Sequence, residues 1–358
     1  MNTRRSFLRG AGVSVGAALV VGAAPKTPAA APAPASPLPL VKPRALKPGD
    51  TVGLISPSSY IFDLWKMDSA VTRLESLGLK SKIGRHAKAR HGYMAGTVQE
   101  RVDDLHAMFS DPTVAAVFCL GGGYGTERLL DSIDYALIRK NPKILLGYSD
   151  ITGLHLAINR RAGVVTFHGP VALSSLPAFT LESLKKALFV SEPIGELGNP
   201  PEKDPLSPEF PRHTVAPGRA RGPIIGGNLT LISTTMGTPY EIDTRGKILF
   251  IEDVGEAPYR IDRMLVQLKL AGKLDEAAGI VWGTCTDCTV SNSSFEVNLS
   301  ISDLVDEILG GINKPVLAGL VFGHTKEKLT LPIGVMAEMD AAAKTVSIVE
   351  AATVAGVS

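Results

Sequence analysis

"KILLGYSDITGLHLAINRRAG", residues 143–163, decides how the chain folds. Its first five residues form a short apolar run after the lysine, the pattern of a strand buried on both faces. The run stops at Gly-Tyr-Ser-Asp and turns at once into a helical pattern that ends on Gly163. A strand feeding directly into a helix is part of a βαβ unit, and the neighbouring sequence repeats it. Residues 51–56 (TVGLIS), 114–121 (VAAVFCLG) and 164–167 (VVTF) read as further strands, with a shorter one at 80–83. Residues 65–78 and 97–111 carry apolar positions at helical spacing, and the second of these opens with Thr97 and Glu100 in capping-box register. The alternation predicts an α/β fold: a parallel sheet covered by helices, with ligands expected at the C-terminal ends of its strands.

Between residues 193 and 222 the chain becomes rich in proline and glycine, which reads as a linker. Beyond it, strands are expected at 247–253, 279–284 and 315–323. Helices are expected near 229–236, 259–271 and 301–309, and a hairpin over 334–350. The expected organisation is an N-terminal α/β domain (45–192), the linker (193–222) and a smaller mixed, β-rich domain (223–354).

Composition narrows the function. The chain has 358 residues, 45% hydrophobic and 20% charged, with a net charge of +2 and 6% aromatic residues. No basic stripe and few stacking rings leave no basis for nucleic-acid binding. Residues 1–36 stand apart. Thr3-Arg4-Arg5-Ser6-Phe7-Leu8 is a twin-arginine pattern, followed by an apolar stretch over 11–24 that is too short to span a bilayer comfortably. This predicts a twin-arginine signal peptide, an encounter with the twin-arginine export machinery, a periplasmic destination and no stable membrane insertion after cleavage. Removing it takes the net charge from +2 to about −2. An Ala/Pro run over 25–43 reads as a disordered tether.

Ser149 follows the strand in a Gly-Tyr-Ser-Asp turn, the place where a nucleophile elbow exposes a hydroxyl. The glycine usual two residues later is absent, with Ile151 in its place, so helix capping by Ser149 or Asp150 explains the same residues equally well. "LGGGYGTERLL" (120–130) also follows a strand. Its glycines allow backbone N–H groups to approach a ligand, as an oxyanion hole requires, but lack the spacing of a nucleotide cradle. A base and an orienting acid are open among several residues. His86, His91, His106 and His213 read as solvated and His155 as packing, while His168 and His324 both end strands. Glu252 and Asp253 end the strand "ILFIED". Each of these has the alternative of a satisfied buried polar group. Cys285 and Cys288 form a C-x-x-C without the second pair a zinc site needs, and read as a structural or incidental pair that an oxidising compartment could bridge.

Taken together, "GGGYGTERLL", "GYSDIT", "HGP", "GGNLTLI", "ILFIEDVGEAPYRIDRML" and "GLVFGH" resemble, in order, the LD-carboxypeptidases, serine peptidases of the S66 type. The resemblance implies a flavodoxin-like N-terminal domain with a smaller C-terminal one, a homodimer, and a Ser-Glu-His triad of Ser149, Glu252 and His324. It also implies an oxyanion hole from the backbone N–H groups of Asp150 and of Gly122 or Gly123. No metal or cofactor enters such a mechanism. The implied substrate is a peptidoglycan stem peptide ending in D-alanine. Two arginines, Arg260 and Arg263, are available to pair with its carboxylate, and an ion-pair role in the fold is the competing reading, stronger for Arg263. Many members carry arginine where this chain has Gly121. Hydrolysis of microcin-type peptidyl-adenylates, ester hydrolysis and wall binding without catalysis are the alternatives.

Overall fold

The computed structural model describes residues 38–356 except 64, 203, 205, 207, 208 and 290–298. The twin-arginine pattern and most of the Ala/Pro run lie outside the described residues. The end of that run is ordered, contrary to the expected tether. Val41 donates its N–H to Gly163 O (2.7 Å) and accepts from Val165 N (3.0 Å), because Leu38, Leu40 and Val41 interrupt the prolines and leave donors free to pair.

The first sheet is built from β1 (Thr51–Ile55), β2 (Lys80–Ile83), β3 (Val114–Cys119), β4 (Ile144–Gly147) and β5 (Thr166–His168), all parallel. Helices α1 (Trp65–Ser76), α2 (Val98–Ser110), α3 (Tyr135–Lys140), α4 (Thr152–Ala162) and α5 (Ala178–Leu188) connect and cover it. Thr97 and Glu100 close the anticipated capping box at the start of α2.

The second sheet has eight strands: β6 (Gly195–Glu196), β7 (His213–Ala216), β8 (Arg219–Asn228), β9 (Ile248–Val254), β10 (Gly279–Thr286), β11 (Val316–Ala318), β13 (Met336–Asp340) and β14 (Thr345–Ile348). Strands β8, β9, β10 and β11 are parallel, and the others pair antiparallel. The molecule is thus mixed α/β with one mainly parallel sheet and one mixed sheet. The 334–350 hairpin is β13–β14, with Asp340 opposite Thr345. Residues 193–222 carry β6, β7 and the start of β8, since these stretches satisfy their backbone groups on the edges of β14, β11 and β13. The expected strand over 315–323 is shorter. It stops at Ala318, where Gly319 takes φ +96° and the chain leaves the sheet toward residue 324.

One exchange ties the halves together. Strand β12 (Leu331–Ile333), from the C-terminal part of the sequence, pairs antiparallel with β5 and completes the first sheet in the order β12-β5-β4-β3-β1-β2. A single apolar core accordingly contains Leu54, Phe118, Leu146 and Phe167 together with Phe250, Trp282 and Phe322, while a second core fills the side under α2, α3 and α4.

Two histidines are sealed in this interior. His155 on α4 and His168 on β5 are fully buried, with ring centroids 6.3 Å apart. His155 Nε2 lies 2.8 Å from Gly147 O, whereas neither ring nitrogen of His168 meets a partner among the described residues. Burial lowers His155 to about 4 and takes His168 well below its ordinary value. Both imidazoles are neutral when folded, so the unfolded chain takes up protons first as pH falls below about 6.5. Stability therefore declines between about pH 6.5 and 4, by ~3 kcal/mol for His155 alone. The denaturant midpoint should be lower at pH 5 than at pH 7, and His168→Phe should narrow the difference. A midpoint unchanged over that range contradicts the neutral buried pair.

Candidate active site

Strands β3 and β4 are neighbours and point the same way, so the loops after them open side by side. After Gly147, Tyr148 is extended and Ser149 takes φ +66°, a left-handed conformation uncommon for a residue with a side chain. A 3₁₀ turn over Ser149–Ile151 then leads into α4. Here the helix-capping reading fails for Ser149, whose side chain turns away from the helix.

What holds the turn is Asp150. Its carboxylate is buried and accepts from Ser58 Oγ (2.5 Å), Gly125 N (3.2 Å) and Thr126 N (2.9 Å), while its carbonyl accepts from Thr126 Oγ1 (2.5 Å). The serine turn is thereby latched to the exit of the glycine loop. Arg101, almost fully buried, braces the far side, with Nη1 donating to Pro57 O (2.9 Å) and Gly125 O (3.0 Å). Ser59 holds the loop itself, accepting from Tyr124 N at 3.0 Å. Gly122 comes so close to the serine that a Cβ there would sit 3.0 Å from Ser149 Cβ. Gly123 takes φ +114°. At Gly121 a Cβ would meet nothing within 4 Å, so the missing arginine leaves open space and not a distorted loop.

Facing this loop are two residues from the second sheet. Glu252 lies on β9, fully buried, and His324 follows Phe322-Gly323 on the segment after β11. His324 Nδ1 is 2.7 Å from Glu252 Oε2, and Nε2 is 2.9 Å from Ser149 Oγ. The three side chains form one continuous hydrogen-bonded line across residues 149, 252 and 324. Gly323, at φ +80°, makes the approach possible, because a Cβ there would overlap the Glu252 carboxylate. Burial pushes the Glu252 carboxyl up, and its bond to His324 opposes that shift. With a carboxylate at Nδ1, the imidazole donates there and offers the lone pair of Nε2 to the serine hydroxyl.

Asp253, the other acid of the pair, has a different task. It accepts from Asn228 Nδ2 (2.9 Å) and from Thr230 N and Oγ1 (2.9 Å each), fixing the end of β9 to the helix α6 (Leu229–Thr234). Asn228 N in turn donates to Thr152 Oγ1 (3.0 Å) on α4, which joins the serine-bearing helix to the strand beside Glu252. His168 lies in the core against Tyr148, Phe250 and Phe322 and forms no bond to the serine.

Arg260 binds Glu256 (3.3 Å) and the Tyr259 hydroxyl (3.2 Å), and Arg263 stands 5.5 Å over the Tyr259 ring. Cys285 and Cys288 are unbridged; Cys285 lies opposite Asp253 in the ladder. Two residues of the site have no sequence signal of their own. The Tyr148 ring packs edge-on to His324 at 4.9 Å, and the ammonium of buried Lys328 stands 4.5 Å over that same ring. Proximity in sequence to Ser149 and to His324 is the one hint that would have found them.

The arrangement is that of an acyl-transfer site: a hydroxyl in a strained turn, a base, an orienting acid and a glycine loop against the hydroxyl. Comparison with known proteins agrees. Residues 52–169 match the LD-carboxypeptidase N-terminal domain and residues 221–339 the LD-carboxypeptidase C-terminal domain. The probable murein peptide carboxypeptidase of Bacillus subtilis is 45% identical over 310 residues, 87% of this chain and 94% of that protein. The murein tetrapeptide carboxypeptidase of Pseudomonas aeruginosa is 34% identical over 300 residues, 81% of this chain and 92% of that one. Among solved structures, the microcin C7 self-immunity protein MccF in its wild-type apo state superposes with a TM-score of 0.78 at 28% identity, covering 88% of this chain and all of that one. With both halves matched and the similarity running through nearly all of the described residues, the chain belongs to the LD-carboxypeptidase family of serine peptidases, S66.

Proposed function

We propose that this carboxypeptidase is exported and trims peptidoglycan tetrapeptide stems, hydrolysing the bond between an L-configured centre and the terminal D-alanine. The observation that carries the reading is the unbroken line from Ser149 Oγ through His324 to Glu252, set against Gly122. The names of the murein-active relatives support the substrate, and the twin-arginine pattern supports export to where that substrate lies.

Chemistry follows from the geometry. His324 Nε2 accepts the Ser149 proton as Oγ attacks the scissile carbonyl carbon. Glu252 keeps Nδ1 protonated and stabilises the imidazolium that forms. Backbone N–H groups of Gly122, Gly123 and Asp150 are the donors for the tetrahedral oxyanion, each worth about 3–4 kcal/mol. The imidazolium then protonates the departing amino group of D-alanine, leaving an ester on Ser149. Water, deprotonated by His324, attacks that ester, and Oγ recovers the proton. Because Ser149 and His324 belong to different sheets, the substrate binds in the seam between them.

A second reading uses the same three residues on a peptidyl-adenylate, and is favoured by the likeness to the microcin immunity protein. Mass spectrometry separates the two. Purified disaccharide-tetrapeptide should lose one alanine with the wild type and nothing with Ser149→Ala, whereas an aminoacyl sulfamoyl adenosine turned over in its place would transfer the assignment to the second reading. Glu252→Gln should lower kcat by about 10⁴, since the amide holds the wrong tautomer. Gly122→Ala should lower it by about 10²–10³ with little change in melting temperature, as the added methyl presses on Ser149 and displaces an oxyanion donor. Wild-type rates in Gly122→Ala would remove this loop from the mechanism. Replacing Arg4 and Arg5 by lysine should leave the protein in the cytoplasmic fraction.

A further inference from the structure

An enzyme that cleaves only the last residue must recognise a free α-carboxylate, and the cation that does so has to lie beside the triad. Arg260 is committed to Glu256 and Tyr259 at the start of α7 (Pro258–Leu270), with more than half of its side chain in solvent. Lys328 is different. It is 5% exposed, held by its backbone N–H to Thr180 Oγ1 (2.9 Å), and its ammonium forms no ion pair and no hydrogen bond among the described residues. Three donors on a nearly buried cation are therefore unspent, which is costly unless something arrives to use them.

Position matches need. The ammonium stands 4.5 Å over the ring of Tyr148, the residue before the nucleophile, and that ring also packs edge-on to His324 at 4.9 Å. Lys328 follows His324 by four residues on the segment leading to β12, so base and cation are carried on one short stretch. A single terminal residue spans about 3.6 Å, so its carboxylate lies within a side chain's reach of the scissile carbonyl. Burial lowers the Lys328 ammonium to about 8, with the Glu252 carboxylate as the charge that opposes the shift.

We propose that Lys328 is the anchor for the free α-carboxylate of the residue that is released, and so sets the exopeptidase specificity of the site. The inference rests on the carboxypeptidase reading above and assigns its leaving-group subsite. The bound carboxylate supplies the ion-pair partner that none of the described residues supplies. An endopeptide or a C-terminal amide leaves the ammonium buried and unmatched, and is rejected for that reason.

The test compares a tetrapeptide ending in D-alanine with its C-terminal amide. Wild type should prefer the acid by about 10²-fold or more in kcat/KM. Lys328→Met, which keeps most of the side chain's length and removes its charge, should collapse that ratio toward one, chiefly by raising KM for the acid, and Lys328→Arg should restore part of it. If Lys328→Met instead lowers kcat on acid and amide alike and leaves their ratio intact, the residue only props Tyr148 and His324, and the anchor is overturned. Calorimetric binding in the Ser149→Ala background reads the same preference without turnover. Acid favoured over amide in Ser149→Ala, and not in the double variant, upholds the anchor even if the wild type releases no alanine, which would sink the carboxypeptidase reading alone. Equal binding of acid and amide by Ser149→Ala sinks the anchor and leaves the triad untouched.

Discussion

The buried carboxylate of Asp150 is the constraint on which the rest of the site depends. A serine at φ +66° does not hold that conformation unaided, and the residue after it has to supply the restraint. Asp150 does so by gathering Ser58, Gly125 and Thr126 around one side chain, which fixes the serine turn and the glycine loop as one rigid object. Arg101 answers the charge from the far side without bonding to it, spending its donors on the carbonyls of Pro57 and Gly125. The hydroxyl and the backbone donors beside it are thus positioned before any substrate arrives, which is where electrostatic catalysis gains most.

The second requirement is that two sheets agree on where the imidazole goes. Three connections enforce it. Asn228 bonds through its backbone N–H to Thr152 on the serine helix and through its side chain to Asp253 next to Glu252, so a single residue references both. Strand β12 crosses from the C-terminal part of the chain into the first sheet, directly beside the strand that ends at His168. The segment between His324 and β12 is further pinned by Thr180 and Ser183 of α5, which accept from Lys328 N and Thr330 N. His324 is therefore held between β11 of the second sheet on one side and, on the other, β12 and α5 of the sheet that carries Ser149.

Much of this was readable from residues in order, and some of it was not. The parallel sheet was legible because strands such as 144–147 and 114–119 are short, wholly apolar and followed by helices, a pattern that needs no tertiary knowledge. Pairing the serine with a base was not, because His168 and His324 both read as strand ends in the sequence and nothing local says which of them faces Ser149. Motif resemblance pointed to His324. The physical discriminator is burial among rings: His168 packs against Phe250 and Phe322, and neither of its ring nitrogens meets a partner among the described residues. The segment 193–222 misled for a related reason. Proline and glycine mark breaks in local structure, yet β7 and β8 lie between those residues and draw their order from distant partners at 316–318 and 336–340. Lys328 carries no motif, and only its burial with no ion pair among the described residues distinguishes it from a surface lysine.

The choice of glutamate as the orienting acid also follows from packing. Glu252 lies within the ladder of β9, with Asn228 as its register partner, so its side chain has to climb out of the sheet to meet the imidazole. The longer side chain makes that reach, and Gly323 clears its path, since any Cβ there would occupy the position of the carboxylate. Asp253, one residue on, points to the opposite face and bonds the start of α6 instead. The adjacent acids thus divide by strand alternation, one toward the triad and one toward the frame. Exchanging their lengths would fail on both faces: an aspartate at 252 falls short of Nδ1, and a glutamate at 253 overruns the helix terminus it now caps.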